Sequence, residues 1–312
     1  MQAKVNTLCL AKRKPKWLAL RFIEFTSTES VFYSPANNLK GSSALIVIYE
    51  NGLTSKTMQY IASQSIHPAT VFLNQNEITK RHCKIRWFNQ TSEIKRCGHG
   101  TLAAANFLIS HFGYCPKAFI STSNERFTIQ VKKQRAQLLL KSIEPKKSKL
   151  AKDELHNVFS SAIKAAYSTG DKNGYTVALF NKEFSEEFDK EFNEEFSEEF
   201  DKEFNEELDK NPDEKQDLKS LRVDFKALSK AHKNAVIALN IKNTDKKNAI
   251  VQFRYFAPQF GVNEDSATGS ALSVIAPLLF RLYGLNKAKL IQQSNNGALL
   301  NYEFNNAKVL IY

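Results

Sequence analysis

Two segments of this chain follow one plan, and that repetition constrains the fold more than any other feature. RWFNQTSEIKRCGHGTLAAA begins at Arg86, and RYFAPQFGVNEDSATGSALS begins at Arg254. Each segment reads as the end of a strand and a polar loop, followed by a Gly and a hydroxyl residue that open an apolar helix. The two glycines, Gly100 and Gly269, are 169 positions apart. We therefore expect two halves of similar build within the 312 residues.

The predicted helix starts are the first candidates for a binding site. Backbone N–H groups without an intrahelical partner and the positive end of the helix dipole favour a carboxylate or a phosphate. Two such starts that grip one substrate across a domain cleft would also stabilise a carbanion or enolate beside its carboxylate, which is the chemistry of proton shifts and epimerisation. Alternatively, the glycines only permit tight turns; the occurrence of two copies favours the first interpretation.

Titratable groups in the two loops are candidates for proton transfer. An imidazole is suited to proton transfer near neutral pH, so His99 is one candidate, and Cys97 beside a helix dipole is a candidate thiol acid or base. Asp265 is a candidate orienting or proton-carrying carboxylate, and Ser270 a candidate hydrogen-bonding partner of a substrate. The structural alternatives are a hydrogen-bonded histidine at a helix start, a small buried cysteine, an N-cap aspartate and a serine in a first helical turn.

Composition and alternation place further elements around these segments. Strands are predicted at 17–25, 44–50, 69–74, 83–88, 235–241 and 250–256, helices at 53–65, 101–113 and 270–284, and hairpins at 126–143 and 298–312. Thr101 is the expected cap of the second helix and Gly113 its stop. The predicted organisation is a basic tail at 1–16, a first domain at 17–125, a second domain at 126–300 and a closing strand at 301–312.

An acidic segment interrupts the second predicted domain at residues 181–217. It carries 17 acidic residues and five lysines, whereas the whole chain has 44 basic and 32 acidic residues and a net charge of +12. The rest of the chain therefore holds 39 basic and 15 acidic residues. Residues 184–195 recur unchanged at 196–207, with an apolar residue at every fourth position. That spacing drifts by about 40° per step around an α-helix, so it predicts no long packed helix. We interpret the segment as a mobile solvated insertion or, as the alternative, an acidic arm that binds a partner.

Composition excludes several classes of protein. No apolar run approaches the roughly 20 residues that cross a bilayer, and lysines interrupt the apolar stretches of the N-terminus, so no secretory signal is predicted. The cysteines form neither a CxxC pair nor a metal-ligand group, which favours a cytoplasmic protein without a metal. They are Cys9, Cys83, Cys97 and Cys115. The basic excess permits nucleic-acid binding, but no recognisable module accompanies it, so that partner ranks last.

The repeated segments resemble the phenazine-biosynthesis PhzF-like family, which shares the diaminopimelate epimerase fold. Residues 254–272 are similar to the family's phrase FAP…EDPATGSA, and residues 86–108 contain its GHA/GHP motif as GHG. The resemblance implies an α+β protein with two pseudo-symmetric domains, each a curled, mostly antiparallel sheet around a central helix, and an active site in the cleft between them. It also implies a homodimer and a proton shift without cofactor or metal.

The resemblance assigns roles to individual residues. The family's catalytic histidine falls on His99, and its aspartate and serine fall on Asp265 and Ser270. Cys97 joins them as a catalytic candidate because of its position beside the helix start. The candidate substrate-binding residues flank these groups. They are Gly98, Gly100, Thr101, Thr268 and Gly269.

One catalytic residue of the family has no counterpart here. Its proton-carrying glutamate, in a phrase like NLSETAFV, falls on Ala69, and its GNPAAV phrase is replaced by GSSAL at 41–45. A positioned general base contributes about 10²–10⁴-fold to a rate. Either another group such as His67, Glu93 or Cys97 carries the proton, or the protein is a non-catalytic relative that binds a small anionic ligand or a protein partner. An isomerase or epimerase acting on a small carboxylate is the preferred hypothesis.

Overall fold

The computed structural model describes residues 23–50, 52–170, 174–180, 218–243, 250–305 and 307–312. Within these ranges the chain is an α+β protein with 17 strands and five α-helices. The predicted basic tail, the first part of the predicted strand 17–25 and the whole acidic segment lie outside the described residues. No helix in the described part of the chain is long and apolar enough to cross a membrane.

The chain divides into two compact units. Among the described residues, the first comprises those of 23–33, 41–140 and 310–312, and the second comprises those of 34–40 and 141–309. The boundary therefore lies near residue 140, later than the sequence placed it. The physical reason is strand pairing, because the hairpin predicted to open the second domain extends the sheet of the first.

The sheet of the first unit is built from eight strands, most of them antiparallel. They are β1 Ile23–Val31, β2 Ser42–Tyr49, β3 Ala69–Asn74, β4 His82–Phe88, β5 Glu93–Ile94, β6 Ala118–Ile120, β7 Arg126–Lys132 and β8 Arg135–Lys141. Neighbours pair in the order β1–β2–β3–β4–β6–β7–β8, and only β2–β3 and β4–β6 are parallel. The short β5 folds back antiparallel onto the end of β4.

Two helices cover opposite faces of this sheet. Helix α1, Ser55–Ser63, packs its Met58 and Ile61 into a cluster with Phe72 of β3. Helix α2, Gly98–Phe112, is largely buried and lies against Val71 of the same strand. Successive strand residues point to opposite faces, so Phe72 and Val71 identify the α1 face and the α2 face respectively.

The second unit repeats this order of pairing. Its strands are β9 Lys146–Lys147, β10 Ala165–Ser168, β11 Tyr175–Leu179, β12 Ala235–Asn243, β13 Ile250–Ala257, β14 Val262–Glu264, β15 Lys287–Gln292 and β16 Ala298–Asn305. The last strand, β17 Lys308–Ile311, contains the division between the two units. Strands β10 to β16 pair as β10–β11–β12–β13–β15–β16, and again only the second and fourth contacts are parallel. Its helices are α3 Lys149–Glu154, α4 Phe225–Ala231 and α5 Leu272–Tyr283. The matching order confirms the predicted pseudo-symmetry.

An arginine–glutamate pair occupies the same place in each unit. Arg86 makes two hydrogen bonds to Glu93, at 2.9 and 2.6 Å, and Arg254 makes two to Glu264, both at 2.7 Å. Each guanidinium also lies over the Phe two residues further along its strand, at 5.0 and 4.9 Å from the ring centroid. The Arg-aromatic-Phe part of the repeated motif therefore has a structural role, since it clamps the loop onto the strand.

The helix ends agree with the prediction only in part. Gly113 closes α2 in a left-handed conformation (φ 65°), as predicted. The predicted cap at Thr101 is wrong, because α2 begins three residues earlier, after Cys97. In the second unit a 3₁₀ turn at Gly269–Ala271 precedes α5, so the two helix starts differ in detail.

Candidate active site

The start of α2 presents backbone N–H groups that no side chain caps. Cys97 is the N-cap residue and its side chain makes no capping hydrogen bond. The first intrahelical bond runs from the Thr101 N–H to the Cys97 carbonyl at 3.0 Å, so the amides of Gly98 and Gly100 precede the intrahelical ladder. A helix of 15 residues adds its dipole at this point. Such an arrangement favours an anion.

Cys97 and His99 lie in contact at this helix start. The sulfur is 3.7 Å from Nδ1 and 3.8 Å from Nε2 of the imidazole, and both side chains are buried. The nearly equal distances show that the contact is no directed hydrogen bond to one ring nitrogen. A thiol and an imidazole at this separation are two proton-carrying groups that can serve one substrate atom from neighbouring positions.

Gly100 is required by the packing beneath Cys97. A Cβ at this position would lie 2.9 Å from the Cys97 sulfur, 3.0 Å from Cδ1 of Trp87 and 3.2 Å from Cγ2 of Val71. The hydroxyl of Thr101, which is completely buried, donates to the Cys97 carbonyl at 2.6 Å. Gly100 therefore leaves room for the thiol. The Thr101 side chain, predicted to bind substrate, holds the N-cap residue in place.

The second loop holds Asp265 through a short chain of hydrogen bonds. Thr268 donates its hydroxyl proton to Oδ2 of Asp265 at 2.7 Å. Gln292, the last residue of β15, accepts the Thr268 N–H at 2.6 Å and donates to the Asp265 carbonyl at 2.6 Å. Gly269 and Ser270 follow in the 3₁₀ turn, whose N-cap Thr268 makes no capping bond. The loop therefore gathers all the residues predicted for this half of the site.

Gln292 is a residue that the sequence analysis missed. It is fully buried and contributes to the loop of Asp265 from a strand 24 to 27 positions away. The only signal in the sequence is a pair of glutamines at the end of the apolar run LIQQ, and such a pair is common at strand ends. The contact could not be predicted because Gln292 and its partners lie far apart along the chain.

Ala69 stands on the α2 face of the first sheet, where the resembling family has its glutamate. It is completely buried and pairs with Ala44 across the parallel β2–β3 contact. Ala69 and Val71 are two residues apart on one strand, so they face the same side. A carboxylate at position 69 would therefore point towards the side on which α2 begins. None of these small side chains can carry a proton.

His67 lies on the other face of that sheet. Its Nδ1 is 2.8 Å from Oγ of Ser43, and its Nε2 is 3.3 Å from Oγ1 of Thr28. Ser43 alternates with Leu45, which packs against α1, so the imidazole lies on the α1 face. Burial lowers the pKa of His67, which keeps the ring neutral near pH 7. This position argues against His67 as the replacement for the missing glutamate.

Glu93, the second suggested replacement, is bound to Arg86. The hydrogen bonds from that guanidinium lower the pKa of Glu93, and partial burial opposes the shift only in part. A carboxylate held in this way is a poor acceptor for a substrate proton. Of the three suggested groups, Cys97 alone lies at the start of α2.

Comparison with known proteins gives a consistent result. The profile of the phenazine biosynthesis-like protein family (PhzC-PhzF) matches residues 31–300. An uncharacterized isomerase of Halalkalibacterium halodurans is 23% identical over 87% of this chain and 88% of its own length. A phenazine biosynthesis-like domain-containing protein of Bos taurus is 26% identical over 84% of this chain and 85% of its own.

The fold has solved relatives as well. A phenazine biosynthesis protein of the PhzF family from Enterococcus faecalis superposes with a TM-score of 0.67 at 21% identity, covering 93% of both chains. A PhzC/PhzF protein from Clostridium difficile superposes with a TM-score of 0.63 over the same shares. The match to the family profile extends over most of the sequence, including both repeated segments. The chain belongs to the phenazine biosynthesis-like (PhzC-PhzF) family.

Proposed function

We propose that this protein is a cofactor-independent isomerase or epimerase that transfers a proton on a small carboxylate-bearing metabolite. Membership of the family and relatives named isomerases support an isomerase-type enzyme. The observation that carries the finer proposal is the Cys97–His99 contact at the uncapped start of α2. It combines an anion-binding helix end with two groups that exchange protons.

The proposed reaction needs only groups of this chain. The helix start binds the substrate carboxylate, and Cys97 or His99 removes a proton from the adjacent carbon as the thiolate or neutral imidazole. The electron pair stays on the substrate as an enolate, which the positive helix end stabilises. The proton then returns to another carbon, giving an isomer, or to the opposite face of the same carbon, giving an epimer. Asp265, held by Thr268, is the proposed second proton carrier or orienting group.

The loss of the family glutamate sets the expected rate. A positioned general base contributes about 10²–10⁴-fold, so a protein with Ala69 needs another base to remain an efficient isomerase. The structure favours Cys97 over the two other suggested groups because His67 faces α1 and Glu93 is paired with Arg86. Cys97 and His99 together are therefore the proposed base in this protein.

Solvent exchange tests the proposal without knowledge of the substrate. Purified protein is incubated in D₂O with a panel of cyclic and amino-acid carboxylates, and deuterium incorporation is followed by mass spectrometry and NMR. We expect incorporation into at least one class, and its loss in Cys97→Ala and His99→Asn. Cys115→Ser is the matched control, since that thiol bonds the Pro116 carbonyl outside the candidate site. Exchange that survives in both site variants would refute the proposal.

A second candidate is a family member that binds a small anion or a protein partner without turnover. The fully buried Ala69 in place of a catalytic carboxylate favours it. This candidate predicts that carboxylates raise the melting temperature while no compound incorporates deuterium. It further predicts that Ala69→Glu creates exchange activity in a protein that lacks it. Turnover by the wild-type protein that disappears in His99→Asn would refute this candidate.

A further inference from the structure

The polar side chain of Gln292 is committed entirely to the loop that carries Asp265. Its Oε1 accepts the Thr268 N–H at 2.6 Å. Its Nε2 donates to the Asp265 carbonyl at 2.6 Å and to the Thr268 hydroxyl at 3.2 Å. A completely buried amide is tolerated only when its polar atoms are paired, and here every partner belongs to one four-residue loop.

The direction of these hydrogen bonds follows from the partners. If the amide of Gln292 were turned over, its NH₂ would face the Thr268 N–H and its oxygen would face the Asp265 carbonyl, so both contacts would be repulsive. The Thr268 hydroxyl oxygen accepts a hydrogen bond from Nε2, so its own O–H group must donate to another acceptor. It donates to Oδ2 of Asp265 at 2.7 Å. The chain of donors runs one way and ends on the carboxylate.

We propose that Gln292 and Thr268 are positioning residues that hold the Asp265 carboxylate in one orientation as a hydrogen-bond acceptor. The proposal rests on the proposed function, in which Asp265 serves the proton transfer. Thr268 was predicted from the sequence to bind substrate. In the relay, the chain of hydrogen bonds from Gln292 through Thr268 to Asp265, the Thr268 hydroxyl is directed at the Asp265 carboxylate. With one oxygen of Asp265 occupied by Thr268, the other oxygen is the one presented to a substrate.

Ser294, which follows β15, provides a matched control that contacts the same loop. Its hydroxyl donates to the Ser266 carbonyl at 2.7 Å, so it also ties a β15-side residue to the loop. Among the described residues it makes no hydrogen bond to Asp265 or Thr268. Ser294→Ala therefore removes its bonds to the Ser266 carbonyl and the Gly297 N–H without interrupting the relay. A purely structural role predicts similar effects of Ser294→Ala and Thr268→Val. The relay predicts different ones.

The test combines steady-state kinetics with hydrogen exchange of the full-length protein. Thr268→Val and Gln292→Leu should lower kcat of the deuterium-exchange reaction by about 10- to 100-fold, because each loses a hydrogen bond that orients a charged group. KM should change by less than about threefold, since binding of the substrate carboxylate is assigned to the helix start. Thr268→Ser, which keeps the hydroxyl, and Ser294→Ala should retain kcat within about threefold.

Amide exchange supplies a readout that needs no turnover. The Thr268 N–H should exchange faster in Gln292→Leu than in the wild type, because its acceptor is removed. Thr268→Val changes the side chain by one isosteric group and keeps the test decisive if Gln292→Leu fails to fold.

Three results would overturn the relay. They are an unchanged Thr268 exchange rate in Gln292→Leu, equal losses of kcat in Ser294→Ala and Thr268→Val, and failure of Thr268→Ser to retain activity. If the wild-type protein incorporates no deuterium into any substrate, the proposed function is refuted instead. In that case the relay is tested by the rate of hydrogen exchange of the Thr268 amide alone.

Discussion

The guanidinium of Arg254 connects three parts of the second unit, and its replacement by lysine should weaken that unit selectively. Nε and Nη2 bind Glu264 at 2.7 Å each, and Nη1 donates to the carbonyls of Leu218 and Leu221 at 3.0 and 2.6 Å. The side chain is only 11% exposed and lies over Phe256. One cation therefore joins β13, β14 and the segment that follows the acidic insert.

The size of the effect follows from what lysine cannot reproduce. An ammonium is a point charge and cannot reach a carboxylate in two places and two carbonyls together. Hydrogen bonds to charged groups contribute about 1.5–3 kcal/mol each, and breaking a buried pair costs about 3–5 kcal/mol. Because lysine keeps the charge and one contact, we expect Arg254→Lys to lower the free energy of opening of this region by about 2–4 kcal/mol.

The equivalent arginine of the first unit is the internal control. Among the described residues, the hydrogen bonds of the Arg86 side chain all go to Glu93, and this side chain is 21% exposed, so Arg86→Lys should cost about 1 kcal/mol. A chain with two units need not unfold in one step, so the assay is hydrogen exchange resolved by peptide. Exchange should accelerate around 218–221 and 254–264 in Arg254→Lys. Equal effects of the two substitutions would contradict this prediction, because the expected difference comes from the two carbonyl contacts and the deeper burial of Arg254.

Three further predictions concern the first unit. Gly100→Ala should abolish deuterium exchange while the protein stays folded, because the new methyl group displaces the Cys97 thiol 2.9 Å away; full activity by mass spectrometry would contradict this. His67→Ala should retain more than about a third of the exchange rate, since the ring lies on the α1 face, and loss of about 10-fold or more would reinstate it as a base. Burial raises the pKa of the Cys83 thiol to about 12, so its contribution to stability is complete below the unfolded-state pKa of about 8.5 and is lost as the pH rises towards 12. Urea titrations should show that Cys83→Ala flattens this alkaline decline, and an unchanged pH dependence would contradict the assignment.

Local sequence was sufficient to predict most of the strands and the C-terminal ends of α2 and α5. Alternating and β-branched runs located β2, β3, β4, β12 and β13, because residue patterns of period two report directly on strands. Gly113 was recognised as a stop because a left-handed C-cap strongly favours glycine. The start of α2 was misplaced, since Thr101 resembles a cap residue and Cys97 does not. The Thr101 hydroxyl lies inside the helix and donates to the Cys97 carbonyl.

Contacts between distant parts of the chain were beyond the sequence. The β7–β8 hairpin was assigned to the wrong side of the boundary because nothing in its own residues reports that it pairs with β6. The same holds for Gln292, whose partners lie in the loop of Asp265. The face on which His67 lies became evident only from the alternation of Ser43 and Leu45 relative to α1. His67 and Cys97 were equally plausible bases from the sequence, and the structure places them on opposite faces of the first sheet.

The pseudo-symmetry gives an independent reason to regard His67 as structural. In the second unit His232 precedes β12 as His67 precedes β3, and its Nε2 lies 2.8 Å from the hydroxyl of Thr176 on β11. Thr176 alternates with Ala178, which packs in the cluster that α4 covers, so this histidine also lies on the face of the crossover helix. Both imidazoles contact a hydroxyl of the corresponding strand, His67 through Nδ1 and His232 through Nε2, while Nδ1 of His232 also binds Glu154 at 2.6 Å. The two contacts are explained by a shared role in joining the crossover to its sheet. This shared role supports the proposal that the base lies on the other face of the first sheet, where α2 begins.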